Sequence, residues 1–351
     1  MRTLLSVLLI GVPVTLILSL VGVSEGMSED AQQRSRALGS DIVVRGSNAS
    51  SAINYSGAPL SEKYIEAIEK QPHVKMALGT VAYTIDWPLS AFGFDMDRFK
   101  AFTGGFQYVA GGPLKDPYDM LLDEPYAAQR KKQVGDTIRL LNHEWRIVGI
   151  IKPGMLARIV VPKATLQDLT AATGHVGMIW VKIDDPAHAD AVAEQLRQEF
   201  PNLRIETTEF YSSQFQPNNI PQVRVFQYVV IGIGVVIAFA VVCLTMYMAV
   251  LQRTREIGIL KSLGGSKFFI VRIMLSEALV LGVLGTAFGI VLTFGARWAI
   301  STFIPASFPM IIVTAWWPKA FLIAEAAALF GALYPGITAA SHDPIEALAY
   351  E

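Results

Sequence analysis

Four long apolar stretches run through the chain, and a long polar segment separates the first from the second. They cover residues 3–24, 225–252, 278–296 and 316–341. Only the last contains charged residues, Lys319 and Glu325. Since a helix needs roughly 20 apolar residues to cross a bilayer core of about 30 Å, the pattern predicts four membrane-spanning helices.

The first stretch begins two residues into the sequence, so a cleaved signal peptide is an alternative to a retained helix. Its apolar core exceeds the roughly 7–15 residues of a secretory signal, and no clear A-x-A cleavage site follows it. We therefore expect residues 1–26 to form a retained membrane helix with a tolerated kink at Pro13.

The polar segment between the first two stretches alternates strand-like and helix-like patterns. Residues 137–141 and 144–151 predict a hairpin, and residues 178–210 follow the β–α–β order of ferredoxin-like units. We expect a mixed α/β extracytoplasmic domain inserted between the first two of four transmembrane helices. The predicted boundaries are 1–26 for the first helix, 27–224 for the α/β domain, 225–342 for the other three helices, and 343–351 for a cytoplasmic tail.

Basic residues indicate the orientation of the chain in the membrane. Five lie in the connection between the second and third apolar stretches: Arg253, Arg255, Lys261, Lys267 and Arg272. The connection 298–318 contains none. Because Lys and Arg concentrate in cytoplasmic loops, the basic connection is expected in the cytoplasm and the domain 27–224 on the other side.

The basic connection also predicts a short helix near residues 253–263. Ile257, Leu260 and Leu263 recur every three residues and would form one apolar face. Gly264 and the glycine after it would end this helix, and Ser266 would cap the next one. The pattern indicates a small amphipathic helix at the cytoplasmic surface.

Two further features lie inside the apolar stretches. Gly285 and Gly289 have the G-x-x-x-G spacing that lets a partner helix approach closely, and Gly282 falls on the same side. The alternative is that glycines are simply frequent in membrane helices. Glu325 is expected to pair with Arg297 as a structural contact, and the alternative is a proton relay.

Composition narrows the chemistry. Only 17% of the residues are charged, against about 25% in soluble domains. A net charge of -1 gives no reason to expect a nucleic-acid partner. The single cysteine, the scattered histidines and the lack of a phosphate-loop spacing favour a non-catalytic chain without a metal or other cofactor.

Three motifs resemble one known family. REIGILKSLGGSKFFIVRIMLSEALVLGVLG is similar to the signature of FtsX-like permeases, a family that includes MacB-like, LolC/LolE-like and DevC-like ABC transporter subunits. The ending YPGITAASHDPIEALAYE and the external VGDTIRLLNHEWRIVGII also resemble that family. The resemblance covers essentially the whole chain. One departure is that family members usually carry a cytoplasmic segment before the first span, so either the start lies upstream or that segment is missing.

The resemblance implies a permease subunit in the bacterial cytoplasmic membrane. A separate ABC ATPase would dock at the short cytoplasmic helix, a second copy or sister permease would complete the complex, and a periplasmic adaptor would be a further partner. ATP hydrolysis would move the periplasmic domain to export or extract a lipidic, lipoprotein, peptide or hydrophobic substrate. The residues expected to couple to the ATPase are Arg253, Arg255, Glu256, Ile257, Leu260, Lys261, Leu263 and Gly264.

Two other functional classes stay open on the sequence. The same mechanical coupling would suit a regulatory or signalling membrane protein that controls a periplasmic partner. An ion-coupled carrier would use Glu325 instead. The sequence does not distinguish export from extraction, or a homodimer from a heterodimer.

Overall fold

The computed structural model describes residues 2–47, 59–86, 89–216, 219–303 and 308–341. The predicted tail 343–351 and most of the carboxyl-terminal motif lie outside these residues. The chain forms two compact units. The helical unit contains the chain up to Gly26, Pro221–Phe303 and the chain from Met310, and the α/β unit contains Met27–Ile220.

The elements alternate through the α/β unit and become entirely helical after it. The helices are α1 (Arg2–Arg36), α2 (Lys63–Glu69), α3 (Met96–Thr103), α4 (Glu124–Gln129), α5 (Lys163–Leu169), α6 (Ala189–Glu199), α7 (Thr208–Ser213), α8 (Pro221–Gln252), α9 (Thr254–Ser262), α10 (Lys267–Phe303) and α11 (Trp317–Ser341). The strands are β1 (Ile42–Gly46), β2 (Leu60–Ser61), β3 (Val74–Asp86), β4 (Leu89–Phe94), β5 (Tyr108–Gly111), β6 (Asp119–Asp123), β7 (Thr137–Leu140), β8 (His143–Ile151), β9 (Ile159–Pro162), β10 (His175–Val176), β11 (Met178–Ile183) and β12 (Leu203–Thr207).

Among the described residues, four helices are long and apolar enough to cross a membrane: α1, α8, α10 and α11. All four contribute to one buried cluster, which includes Ile10, Val242, Ala278 and Ala328. Their opposite faces are also apolar, as the exposed Leu322 shows. A helix that is apolar on all sides suits a lipid environment, where the outer face needs no polar residues.

The α/β unit is built on one ten-stranded mixed sheet, with strands in the order β12-β1-β11-β3-β4-β9-β6-β8-β5 and β7 paired to β8. Alternate residues of each strand enter different cores because strand side chains alternate between faces. In β1, Ile42 and Val44 belong to one core and Val43 to the other. Both faces of the sheet are therefore buried at β1, whereas the edge strand β5 is exposed.

The β–α–β segment predicted over residues 178–210 is β11–α6–β12. Strand β1 lies between β11 and β12 and pairs antiparallel with both, so the unit is a split β–α–β. It is part of the large sheet instead of a separate small unit. The face of α6 that packs inward contains Val192, Ala193 and Leu196, all of which are buried.

The predicted hairpin is formed by β7 and β8. Its turn lies at Leu141 and Asn142, which have φ of 52° and 62°. Two successive left-handed residues are typical of the type I′ turn, which matches the twist of paired strands. Strand β8 is irregular beside Gly149, because β6 skips Val148 in its pairing with β8.

Candidate functional site

The short helix α9 is bounded by backbone features that the sequence indicates. At its carboxyl end Gly264 has φ of 93°, its N–H donates to the Lys261 carbonyl oxygen, and the Gly265 N–H donates to that of Leu260. This pair of bonds is the Schellman motif, which ends a helix at a left-handed glycine. Ser266 then caps α10, accepting a hydrogen bond from the Phe269 N–H at 3.2 Å. The turn between α9 and α10 therefore has a defined geometry.

One face of α9 packs against the chain's own membrane helices. Ile257 is buried in a cluster with Ile270 and Met274 of α10 and Ala339 and Ala340 of α11. The expectation that Ile257, Leu260 and Leu263 form a single docking face is therefore wrong for Ile257. At 100° per residue the three side chains span about 120° of the helix, enough for one to face inward while the others face outward.

The other face of α9 and the start of α10 expose a set of large apolar side chains. Leu263 is 81% exposed and Phe268 is 76% exposed. We call this set the α9 patch: Ile259, Leu260, Leu263, Phe268 and Phe269. Sequence reasoning missed Ile259 and both phenylalanines, although the cap at Ser266 places the phenylalanines in the first turn of α10, before the predicted span.

Two polar contacts hold α9 in place. Lys261 Nζ donates to the carbonyl oxygen of Ala340, in the last turn of α11, at 2.9 Å. Arg253 forms an ion pair with Glu277 of α10, in which its Nη1 lies 3.6 Å from the Glu277 Oε2. Both basic residues were expected to contact an ATPase, and the structure shows each in a contact within the chain. Arg255 and Glu256 are exposed.

The three glycines expected to share one packing face approach two different helices. A methyl group on Gly289 would lie 2.7 Å from Val14 Cβ and 2.8 Å from the Gly11 carbonyl oxygen, both on α1. Gly285 likewise faces Ile10 of α1. Gly282 instead faces α11, where such a methyl group would lie 2.7 Å from each carboxyl oxygen of Glu325.

Comparison with known proteins covers the whole chain. Residues 3–199 match the family described as MacB-like periplasmic core domain, and residues 228–344 match the FtsX-like permease C-terminal family. The chain belongs to the FtsX-like and MacB-like ABC transporter permeases.

Relatives of this permease include the Macrolide export ATP-binding/permease protein MacB of Salmonella paratyphi A, 25% identical over 381 residues. The same protein of Escherichia coli O157:H7 is 23% identical over 387 residues. Each alignment covers 100% of this chain and 58% of the relative. The permease therefore spans a little over half the length of these relatives.

Similar solved structures include the periplasmic region of MacB from Actinobacillus actinomycetemcomitans, with TM-score 0.39 and 14% identity over 50% of this chain and 92% of that one. Another is the extracellular domain of the ABC-type transporter YknZ from Gram-positive bacteria, with TM-score 0.36 and 12% identity over 47% of this chain and 98% of that one.

The family and the four apolar helices confirm the predicted fold class and location. The permease is a multi-pass inner-membrane protein with a mixed α/β periplasmic domain between its first and second membrane helices. The α9 patch follows the second of these helices, in the connection predicted to be cytoplasmic.

The expected pair between Arg297 and Glu325 is absent from this permease. Neither carboxyl oxygen of Glu325 has a hydrogen-bond partner among the described residues, and Arg297 is exposed. Glu325 lies beside Gly282, which is 15 residues from Arg297 on α10 and hence about 22 Å along the helix. An arginine side chain does not reach that far, so the two residues cannot pair within one chain.

Proposed function

We propose that this chain is the membrane-spanning subunit of an ABC transporter and that the α9 patch is where a separate ATPase subunit docks. ATP hydrolysis by that subunit would move the membrane helices and, through them, the periplasmic domain. The cargo would be a lipidic, lipoprotein, peptide or other hydrophobic substrate that is exported or extracted. The observation that carries the proposal is the exposed α9 patch on a helix anchored to α10 and α11.

Lipid does not account for the α9 patch. Arg255, Glu256 and Lys267 are exposed beside it, and charged side chains are costly in a hydrocarbon environment. These charges argue against placing the patch in the hydrocarbon core, and exposed apolar side chains rimmed by polar residues are typical of protein-binding surfaces. Aromatic anchors such as Phe268 are also enriched in such surfaces.

The contacts that anchor α9 support a role in transmitting movement from the ATPase to the membrane helices, beyond simply binding the ATPase. A docked subunit would push on a helix whose inner face is packed at Ile257 and whose last turn is tied to α11 through Lys261. Because packed interiors deform little, a displacement of α9 would be passed to α10 and α11. The energy source would lie on the ATPase chain, and a second copy or sister permease would complete the complex, with a periplasmic adaptor as a further partner.

The proposal is tested by replacing Leu263 with glutamate in the full-length protein purified from native membranes. Co-purifying ATPase subunits are identified and quantified by mass spectrometry. We expect a loss of ATPase recovery of at least ~10-fold, equivalent to about 1.4 kcal/mol of binding, with an unchanged thermal unfolding midpoint.

The matched control is Val134→Glu, an exposed apolar residue in the α/β unit, which is expected to leave ATPase recovery unchanged. Ile257→Ala should instead lower the unfolding midpoint, because it removes buried packing. Wild-type ATPase recovery with Leu263→Glu would overturn the proposal.

A further inference from the structure

Four charged side chains form a closed ring in the α/β unit, near the carboxyl end of α1. Asp30 Oδ2 accepts hydrogen bonds from Arg34 Nε at 2.9 Å and from an Arg158 terminal nitrogen at 2.8 Å. Asp123 Oδ2 accepts from the same two arginines at 3.0 and 3.3 Å. Two residues of the ring belong to α1, one to the end of β6 and one to the segment just before β9, so the ring joins one helix to two strands.

The ring is balanced in charge, and three of its side chains are largely removed from water, while that of Asp30 is 32% exposed. The side chain of Asp123 is 1% exposed, and those of Arg34 and Arg158 are nearly as buried. Asp123 uses its other oxygen to cap α4, accepting from the Tyr126 N–H at 3.0 Å. Arg34 donates from its remaining nitrogen to the Met155 carbonyl oxygen at 3.2 Å. The ring is thus connected to the backbone on the sheet side.

Such a ring adds little to the free energy of unfolding, but it fixes the relative orientation of the segments that it joins. Taking charges out of water costs about as much as their attraction returns, so an apolar replacement is often as stable. A guanidinium group, however, binds carboxylates in a fixed planar geometry. Asp30 and Arg34 are four residues apart on one face of α1, so turning the helix by one residue, about 100°, would break the bonds of both.

The apolar contacts of this part of α1 do not impose the same constraint. Ala31 is the α1 side chain that packs against the neighbouring core, and Leu38, which is buried in that core, lies beyond the end of the helix. Apolar contact is non-directional, and a single alanine methyl group tolerates rotation of the helix. In this part of α1, Asp30 and Arg34 supply directional contacts with the segments at β6 and β9.

We propose that Asp30, Arg34, Asp123 and Arg158 form a joint that sets the rotation and axial position of α1 against β6 and β9. The role of this joint rests on the proposed function. A helix that transmits movement to a domain must not rotate or slide against that domain. Helix α1 runs from Arg2 to Arg36, and Asp30 and Arg34 lie in its last two turns. The four residues are positioning residues and contact no substrate in this scheme.

The test uses a charge-balanced variant that leaves no buried charge unpaired. In Arg34→Gln with Asp123→Asn, the Asp30–Arg158 pair remains, and asparagine is as good a helix cap as aspartate for α4. Spin labels are placed at the exposed positions Gln33 and Glu124 of the full-length protein, after Cys243→Ser removes the single native thiol. Electron paramagnetic resonance then gives the distribution of the distance between the labels.

We expect one narrow distance in the wild-type background and loss of that single distance in the ring variant, with an unchanged thermal unfolding midpoint. The matched control removes the exposed ion pair between Glu194 and Arg197 by replacing both residues with glutamine, and should keep the narrow distance. A narrow wild-type distance in the ring variant would overturn the joint. If the ring variant is too unstable to purify, Arg34→Lys, which keeps the charge but loses the planar fork, is labelled in the same way and judged by the same criterion.

The measurement needs neither ATP nor a partner subunit, so it is independent of the docking experiment. An unchanged distance distribution together with ATPase recovery that depends on Leu263 would refute the joint and leave the proposed function intact. The opposite result is loss of the narrow distance in the ring variant together with wild-type ATPase recovery in Leu263→Glu. It would support the joint and refute the proposed docking site.

Discussion

Thr15 on α1 donates a hydrogen bond from its Oγ1 to the carbonyl oxygen of Gly289 on α10, at 3.0 Å. The same hydroxyl lies 2.9 Å from the carbonyl oxygen of Gly11 in its own helix. A threonine hydroxyl reaches a neighbouring backbone only where the two helices are very close, and the missing side chain of Gly289 provides that closeness. At this level the first membrane helix is therefore joined to the third by a bond from a side chain of one to the backbone of the other.

Adding a side chain at Gly289 is expected to destabilise the helical unit. A methyl group there would lie 2.8 Å from a backbone oxygen of α1, which cannot move away as a flexible side chain would. Overpacking of this kind costs about 1–3 kcal/mol. We expect Gly289→Ala to lower the thermal unfolding midpoint of the detergent-purified protein, measured by circular dichroism.

The matched control is Gly295→Ala on the same helix, because no atom lies within 4 Å of where its methyl group would be. It should be neutral or slightly stabilising, since alanine is favoured over glycine in a helix by about 0.5–1 kcal/mol. Equal effects of the two substitutions would contradict the close approach of α1 to α10.

Removing the Thr15 hydroxyl should have a smaller effect. Hydrogen bonds between membrane helices contribute about 0.6 kcal/mol on average and up to ~1.7 kcal/mol. We expect Thr15→Val to lower the free energy of unfolding within that range, while Thr15→Ser, which keeps the hydroxyl, stays closer to the wild type. Titration with a denaturing detergent measures both variants, and a stabilised Thr15→Val would show that the bond is not formed.

The fold was predictable where the pattern is local. Apolar length defines α1, α8, α10 and α11, and the helix-ending glycine at Gly264 defines the end of α9. The sheet order was not predictable, because β1 lies between β11 and β12 through pairings that span more than 130 residues of sequence. No local preference encodes such a contact.

The candidate site was predictable only in part, for the same reason. The periodicity of Ile257, Leu260 and Leu263 indicates an amphipathic helix, but which side chains face inward depends on where α10 and α11 lie. The predicted pair of Arg297 with Glu325 was wrong because the prediction considered only their opposite charges. It did not consider how far along α10 Arg297 lies from the level of Glu325. The ring of Arg34 with Asp123 left no sequence signal, since its partners are 89 residues apart.

Acid should destabilise the periplasmic domain through Glu206. Burial alone would raise the pKa of this carboxyl, but hydrogen bonds and charges from Arg45 and Arg204 outweigh it and hold the pKa below the ordinary 4.5. The folded state therefore binds this proton more weakly than the unfolded state does. Its contribution to stability is present above the unfolded pKa and is lost as the pH falls through the folded one.

We expect Glu206→Gln to be less stable than the wild type near neutral pH, because it leaves the fully buried Arg45 without its carboxylate partner. The difference should shrink as the pH falls below the ordinary pKa of 4.5 and then through the lower pKa of the folded state, because the wild-type carboxylate also becomes protonated there. Unfolding of the full-length protein is followed by tryptophan fluorescence at each pH. Glu66→Gln, at an exposed carboxyl of the same unit, is the control. A difference between Glu206→Gln and wild type that does not change with pH would contradict this account.

Lys261 connects α9 to the end of α11, and under the proposed function its removal should affect transmission of movement more than stability. Its ammonium group lies 2.9 Å from the Ala340 carbonyl oxygen, where a positive charge complements the helix dipole by about 0.3–1 kcal/mol. Lys261→Met keeps the aliphatic stem and loses this bond. We expect a small change in the unfolding midpoint and unchanged recovery of the ATPase subunit, but a loss of the ATP-dependent change in distance between labels on α9 and α11. Lys261→Arg, which keeps a donor, should retain that change, and a wild-type response of Lys261→Met would show that movement reaches α11 by packing alone.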